Sequence, residues 1–159
     1  MKAGDNGEEI GPFGLDKSPA FNAIVKEILR MYSGVTTTTY RRVIKNVKIG
    51  GYKFRKGDTL LLPLSFWHIL DKVYENPKKF DVNRFSKDND RNRDSFDFLS
   101  FSTGKRNCIG QYLADFFIKS VVSKMYKNFE IEKDEDFDPI MVMGLVHTVS
   151  ESKIKLKCK

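Results

Sequence analysis

Helical periodicity is confined to two stretches of this 159-residue chain, one on each side of a long middle segment. In the first stretch, Ser18 followed by Pro19 has the form of a helix N-cap with proline at the first helical position. The pattern predicts one helix over residues 19–32, ended by Gly34, and a second over residues 109–128. The apolar positions at helical spacing are Phe21, Ile24, Val25, Ile28, Leu29 and Tyr32 in the first helix, and Leu113, Phe116, Phe117, Val121, Val122, Met125 and Phe129 in the second.

The remaining sequence favours short strands and turns. The threonine run Thr36 to Thr39 favours an extended segment over residues 35–40, because β-branched side chains fit a pleated surface. Residues 47–64 predict three short strands separated by glycine turns. Residues 76–107 lack periodicity, which is typical of a functional or disordered loop. Strand-like sequence returns after an acidic turn, at residues 141–149 and 153–157.

These elements predict one α+β domain over residues 18–159, preceded by a flexible lead-in over residues 1–17 that contains four glycines. The apolar runs are only a few residues long, so the sequence predicts no membrane-spanning helix. The N-terminus has the pattern of neither a signal peptide nor a transit peptide. Two cysteines, Cys108 and Cys158, are too few for a disulfide framework and indicate a reducing compartment.

The net charge of +7 is unevenly distributed. Residues 1–80 contain 14 basic and 8 acidic side chains, whereas residues 81–159 contain 14 and 13. A basic face can attract nucleic acid, anionic lipid or an acidic protein. Charge alone does not decide between them.

The surroundings of Cys108 favour an ionised thiol. The cysteine precedes a predicted helix, whose N-terminus is partially positive, and it follows Lys105 and Arg106. Such a thiolate can be a nucleophile, a redox thiol or a metal ligand, and an inert buried cysteine is the alternative. His68 and His147 are the only imidazoles, and nothing in the sequence links either to Cys108.

The pattern Phe101-x-x-Gly104-x-Arg106-x-Cys108-x-Gly110 resembles the haem-binding loop of the cytochrome P-450 haem-thiolate monooxygenases, with every position filled. Two further segments occur in the order expected for that family. Glu27-Ile28-Leu29-Arg30 resembles the Glu-x-x-Arg of its K helix. The segment Phe80 to Phe85 resembles the one that adds a third member, here Arg84, and it departs from the family at Asn83, where many members have glutamate.

The resemblance implies a role for each residue of the loop. Cys108 would be the axial thiolate of the iron in haem b, and therefore both the catalytic and the metal-binding residue. Gly104 and Gly110 would let the backbone pass close to the porphyrin, and Phe101 would shield the sulfur. Arg106 would pair with one haem propionate. The other propionate would be bound by Arg41 or Arg42, between which the sequence does not choose.

Other parts of the chain acquire roles from the same resemblance. A helical wheel places Glu27 and Arg30 away from the apolar stripe, as an exposed ion pair, whereas the resemblance places them with Arg84 in a buried structural triad. The segment Thr36, Thr37, Thr38 and Thr39 would line the substrate pocket, and Met143 to Leu145 would form a further substrate-contacting turn. His68 is expected to be a structural loop residue.

The implied fold is the C-terminal fragment of the mainly helical P-450 fold, with K helix, small β-elements, meander loop, cysteine-ligand loop and L helix. The implied function is oxygen insertion into a small lipophilic substrate, with electrons from an NADPH-dependent reductase or another donor, and no nucleic acid partner. Because the family's domain is several-fold longer, the fragment is expected to be inactive alone. A full-length eukaryotic relative would be at the endoplasmic reticulum membrane, and this chain is expected in the cytoplasm. The alternatives are a non-enzymatic haem-binding protein and a basic interaction protein without a cofactor.

Overall fold

The computed structural model describes residues 18–35, 39–133, 141–142, 148–149 and 154–159. The lead-in predicted over residues 1–17 lies outside them. Within the described residues, the two predicted helices are confirmed with shifts of one or two residues at one end. The α-helices are α1 (Pro19–Met31), α2 (Leu64–Trp67), α3 (Lys87–Arg91) and α4 (Gln111–Asn128), and 3₁₀ turns span Val82–Phe85 and Gly104–Arg106.

Helix α1 begins as the sequence predicts. The Ser18 hydroxyl oxygen accepts a hydrogen bond from the Phe21 amide at 3.4 Å, and Pro19 occupies the first turn. The apolar face is only partly as expected, because Ile28 and Tyr32 are 39% and 57% exposed. Phe21 and Val25 of the predicted stripe are buried, and the helix also buries Ala23, Glu27 and Arg30.

The strands form four antiparallel pairs among the described residues. In the first pair Thr39 lies opposite Leu62. A shorter hairpin, in which Val47–Ile49 pairs with Tyr52–Phe54, lies between these two strands in the sequence. That hairpin turns at Gly50 and Gly51, whose φ angles of +56° and +88° are readily adopted only by glycine. The pairs are β1 (Thr39–Arg42) with β4 (Thr59–Leu62), β2 (Val47–Ile49) with β3 (Tyr52–Phe54), β5 (Phe129–Lys133) with β8 (Ile154–Cys158), and β6 (Met141–Val142) with β7 (Thr148–Val149).

The segment over residues 76–107 has more structure than its sequence predicts. It contains α3 and both 3₁₀ turns, which are too short to give the periodicity that would have predicted them. Phe85 is 3% exposed and packs in the core with Ala23 and Tyr74. The Tyr74 hydroxyl donates to the carbonyl of Asp97 at 2.8 Å, which attaches the later part of the segment to the same core.

Helix α4 buries little of its surface. Of its 18 residues, Lys119 alone is buried, and the large apolar side chains of Tyr112, Leu113 and Phe117 are 87%, 71% and 65% exposed. The predicted apolar stripe therefore lies on the correct helix, but the described residues leave Leu113, Phe117, Val121 and Val122 exposed and cover Phe116, Met125 and Phe129 only partly. Among the described residues, no helix is both long and apolar enough to cross a bilayer.

Candidate functional site

The loop that carries Cys108 folds back on itself. The Cys108 amide donates a hydrogen bond to the carbonyl of Phe101 at 2.9 Å, which closes the loop around the 3₁₀ turn. Ser102 and Gly104 have left-handed φ angles of +64° and +77°. A serine in this region is uncommon and costs conformational energy. The loop presents the Cys108 side chain as an exposed group, three residues before helix α4 begins.

Gly104 and Gly110, the two glycines of the loop, differ in the reason why a glycine is suited to each position. Gly104 needs its left-handed backbone, and a Cβ at that position would meet nothing within 4 Å. At Gly110 a Cβ would lie 3.8 Å from the Cys108 sulfur, which is an ordinary contact. Close approach of these glycines to a porphyrin therefore stays a prediction, whereas the backbone angle gives an independent reason for glycine at position 104.

A cavity of about 370 Å³ lies beside Cys108. Its walls are mostly apolar, and Arg106 is the one charged side chain among the described residues that line it. Phe101 and Thr39 also contribute to the wall, as do residues from α1, β4 and α4. The cavity thus joins the thiol, a cation and an apolar surface.

The side chains around Cys108 could hold a haem iron. Within the described part of the chain, no group of three or more histidine, cysteine or acidic side chains is close enough to hold a metal. A haem iron takes four nitrogens from its own porphyrin and needs one axial donor, which Cys108 can supply. The apolar walls suit the porphyrin ring, and Arg106 suits a carboxylate at its edge.

Glu27, Arg30 and Arg84 are brought together by the fold. Glu27 and Arg30 are 0% and 1% exposed, so the helical-wheel expectation of an exposed pair is wrong. Two hydrogen bonds of 2.7 and 2.9 Å join the Arg30 guanidinium to both Glu27 oxygens. The Arg84 Nε lies 3.5 Å from Glu27 Oε1, and that oxygen also accepts the Asp81 amide at 2.8 Å. The buried carboxylate therefore has several donors, as burial of a charge requires.

Arg93 is a residue of this region that the sequence analysis missed. Its Nη2 donates to the carbonyl of Arg84 at 2.6 Å, and its guanidinium lies 4.6 Å from the Phe85 ring centre and 5.0 Å from that of Tyr74. Its surroundings in sequence, a charged stretch, gave no sign of this role, because such stretches are usually solvated. The available signal was the aromatic residues at 74 and 85.

The other predicted site residues lie in several places. Thr39 lines the cavity, whereas Thr36, Thr37 and Thr38 lie outside the described residues, as do Met143 to Leu145 and His147. Arg41 and Arg42 lie in β1, neither lining the cavity. Arg41 is two residues from Thr39 and therefore on the same face of the strand, while Arg42 is on the opposite face.

His68 is completely buried at the C-terminal end of α2. Burial, together with the smaller effect of the positive charge of Arg30, lowers the pKa of its imidazole to about 4. The ring is therefore neutral at neutral pH. The expectation of a structural histidine agrees with this placement.

One exposed cysteine at an apolar cavity, held between two helices and backed by a buried Glu–Arg cluster, is the arrangement expected of a haem-thiolate fold. The family model for Cytochrome P450 matches residues 14–158. The chain belongs to the cytochrome P450 family.

Relatives and solved structures agree with this assignment. The chain is 31% identical over 137 residues to Cytochrome P450 26B1 of Xenopus tropicalis, covering 84% of this chain and 26% of the relative. It is 32% identical over 126 residues to the dimethylnonatriene synthase of Arabidopsis thaliana, covering 77% of this chain and 24% of that one. It superimposes on retinoic acid-bound cyanobacterial CYP120A1 with a TM-score of 0.86 at 23% identity, covering 98% of this chain and 36% of that one.

The matches cover only part of those proteins. The chain spans about a quarter of the length of the curated relatives and about a third of the solved haem domains. The described structure is thus a part of the P450 fold that combines helices with small sheets.

Proposed function

We propose that this chain forms the haem-binding portion of a haem-thiolate monooxygenase, with Cys108 as the axial ligand of the iron of haem b. The observation that carries the proposal is the exposed thiol at the edge of an apolar cavity, on a loop closed by the 2.9 Å hydrogen bond to Phe101. When bound, the haem supplies oxygen activation, and a thiolate ligand supports it by donating electron density.

The neighbouring residues would bind and orient the cofactor. Phe101 would cover the sulfur, because it lines the cavity beside Cys108 and its carbonyl binds the Cys108 amide. Arg106 would bind one propionate. Of the two candidates for the other propionate, Arg41 is favoured over Arg42, because Arg41 shares a strand face with the cavity-lining Thr39.

The elements acquire family roles under the same proposal. Helix α1 would be the K helix, residues 76–100 the meander, and α4 the L helix. The Glu27, Arg30 and Arg84 cluster would hold the meander against α1, which its hydrogen bonds to Asp81 and to the carbonyls of Lys79 and Asn76 support.

The proposed substrate class is small and lipophilic. The walls around Cys108 are predominantly apolar, and Thr39 adds a hydroxyl to them. One structural neighbour is described as bound to retinoic acid, which is a molecule of this class. Electrons would come from an NADPH-dependent reductase or another donor whose acidic surface is attracted to exposed basic side chains such as Lys105.

Haem binding without oxygenase activity is the second candidate. The chain spans about a third of the solved haem domains, so it supplies the ligand loop and only part of the walls around a bound haem. A productive oxygenase site excludes bulk water. Both candidate functions require haem, and they differ in whether the bound haem catalyses oxygenation.

Reconstitution with hemin tests the proposal. The reduced protein under carbon monoxide should show the red-shifted band of a thiolate-ligated haem. Cys108→Ser should abolish that band, and Cys158→Ser, which changes an exposed cysteine of strand β8, is the matched control and should retain it. Equal spectra from the two variants would refute Cys108 as the ligand, and no haem binding at all would favour a basic interaction protein.

A further inference from the structure

His68 is a completely buried polar side chain whose place in the fold is unusual. It is 0% exposed and stacks on Phe98, with ring centres 5.7 Å apart and planes inclined by 18°. The Tyr74 ring packs edge-on against the His68 ring, with ring centres 6.3 Å apart. His68 is not among the described residues that line the cavity beside Cys108. Any effect of His68 on that cavity therefore passes through other residues.

His68 accepts two hydrogen bonds, one at its main-chain carbonyl and one at its imidazole ring. Its main-chain carbonyl accepts from Arg30 Nη1 at 2.8 Å, which connects it to the buried Glu27 cluster. Its ring Nε2 accepts from the Leu99 amide at 2.8 Å, across 31 residues of sequence. A backbone N–H can only donate, so Nε2 carries no proton and the neutral ring carries its proton on Nδ1.

Leu99 is the residue from which the Cys108 loop departs. Its carbonyl accepts a hydrogen bond from the Ser102 amide at 2.9 Å. Further along the loop, the Cys108 amide donates to the Phe101 carbonyl. Between them, the Ser100 hydroxyl donates to the carbonyl of Leu29 at 3.0 Å. Leu99 and Cys108 line the same cavity. The start of the loop is thus held at one end by the imidazole of His68.

We propose that His68 is a positioning residue for the Cys108 loop, acting by accepting the Leu99 amide and so fixing the origin of the loop against the Glu27–Arg30 cluster. This inference rests on the proposed function in that Cys108 is the iron ligand. What the site needs is an acceptor that reaches Leu99 from inside the core. Stacking against Phe98 supplies the rigidity, since it holds the ring in one plane.

Two amide substitutions test the reach of the acceptor. In His68→Gln the side-chain oxygen can lie near the position of Nε2, whereas in His68→Asn the side chain is one methylene shorter and lies near Nδ1. Both bury an amide and neither titrates, so they differ mainly in whether the Leu99 amide keeps its partner. Tyr74→Phe is the control, because it removes the buried hydrogen bond to Asp97 in the same core and leaves that of Leu99 intact.

The first measurement is amide hydrogen exchange in the haem-free full chain. His68→Asn should speed exchange at Leu99 and Cys108 by roughly five- to tenfold, the value of one hydrogen bond, and His68→Gln should restore it. Tyr74→Phe should leave both amides close to the wild type. If the glutamine and asparagine variants behave alike, including if both fail to fold, the role of the acceptor is refuted.

The second measurement is the carbonyl spectrum after hemin reconstitution. His68→Asn should lower the fraction of thiolate-type band severalfold relative to total bound haem, and His68→Gln should recover most of it. If the wild type gives no thiolate-type band, the proposed function fails, while the exchange comparison in the haem-free chain still decides whether His68 positions the loop. An asparagine variant with wild-type exchange and wild-type spectrum would overturn the inference.

Discussion

Arg30 donates a hydrogen bond of 2.8 Å to the main-chain carbonyl of His68, 38 residues further along the chain. The same guanidinium is bound to both oxygens of Glu27, and the imidazole of His68 accepts the amide of Leu99. The buried ion pair of α1 and the start of the Cys108 loop are therefore parts of one network. A change in one part is expected to be felt in the other.

The first prediction concerns the buried charges. Glu27→Ala and Arg30→Ala should each lower the free energy of unfolding by about 3–5 kcal/mol, because each leaves the other charge buried without its partner. Arg84→Ala should cost less, since its side chain is 11% exposed. Urea denaturation of the single and double variants measures this, and the double variant should lose much less than the sum.

The matched control is Lys157→Ala, which removes an ion pair to Glu132 in which the two side chains are 63% and 48% exposed. Pairs of this kind contribute little, so the unfolding midpoint should stay at the wild-type value. Additive losses in the Glu27–Arg30 double variant, or losses no larger than that of the control, would mean that the three residues do not act as a unit.

The second prediction is a dependence of stability on pH. The pKa of His68 is lowered from 6.5 to about 4 by burial, and by the nearby Arg30. The unfolded chain therefore takes up a proton in a range where the folded chain does not, so this residue weakens the fold as pH falls from about 6.5 towards 4. The loss at the lower end is on the order of 3 kcal/mol, and above pH 7 the residue contributes no pH dependence.

His68→Gln isolates this contribution, because glutamine does not titrate. Unfolding free energies of the two proteins should be compared between pH 7.5 and pH 4.5. The unfolding free energy of the glutamine variant should rise steadily relative to that of the wild type as the pH is lowered. A constant difference between the two curves would mean that His68 is not a buried neutral base.

The helices could be predicted from the sequence more reliably than the surfaces they bury. Apolar spacing located α1, but it placed Glu27 and Arg30 in solvent. A helical wheel takes account only of the side chains of the helix itself. Glu27 and Arg30 are buried because distant groups contact them, namely Asp81, Arg84 and the carbonyl of His68. Such long-range partners have no local signature. The family resemblance supplied Arg84, and neither approach supplied Arg93.

Strand β5 shows a second reason for failure. The sequence Phe129-Glu-Ile-Glu alternates apolar and acidic residues, as an edge strand does, yet Phe129 also continues the helical stripe of α4, and Glu132 begins the acidic stretch that predicts a turn. The helical spacing of apolar residues thus continues one residue beyond the end of α4, into the strand. In the Cys108 loop, the motif located the residues but not the left-handed Ser102, because serine rarely adopts that conformation.

The third prediction separates two neighbouring arginines. Under the proposed function, Arg41→Ala should weaken haem binding by roughly tenfold, the value of one charge-assisted hydrogen bond to a propionate. Arg42→Ala, on the opposite face of β1, should have little effect and serves as its control. Hemin titration monitored by absorbance measures both. A larger loss at Arg42 would reverse the assignment, and equal losses would indicate a general effect of charge.

The last prediction is that this chain, given haem, a reductase and NADPH, consumes NADPH without forming a stoichiometric amount of oxygenated product. A thiolate ligand favours cleavage of the O–O bond, but coupled turnover also needs ordered proton delivery and exclusion of bulk water. The described residues that line the cavity beside Cys108 include no carboxylic acid and no imidazole that could deliver a proton, and Arg106 is the only one of them with a charged side chain.

Reduced oxygen should therefore leave as superoxide or peroxide, and the assay should measure NADPH, peroxide and product together with a lipophilic substrate. Cys108→Ser is the control and should lower the thiolate-dependent NADPH consumption. Product formed in proportion to NADPH would contradict the prediction. It would mean that the chain, or a second copy of it, completes a closed pocket over the ligand loop.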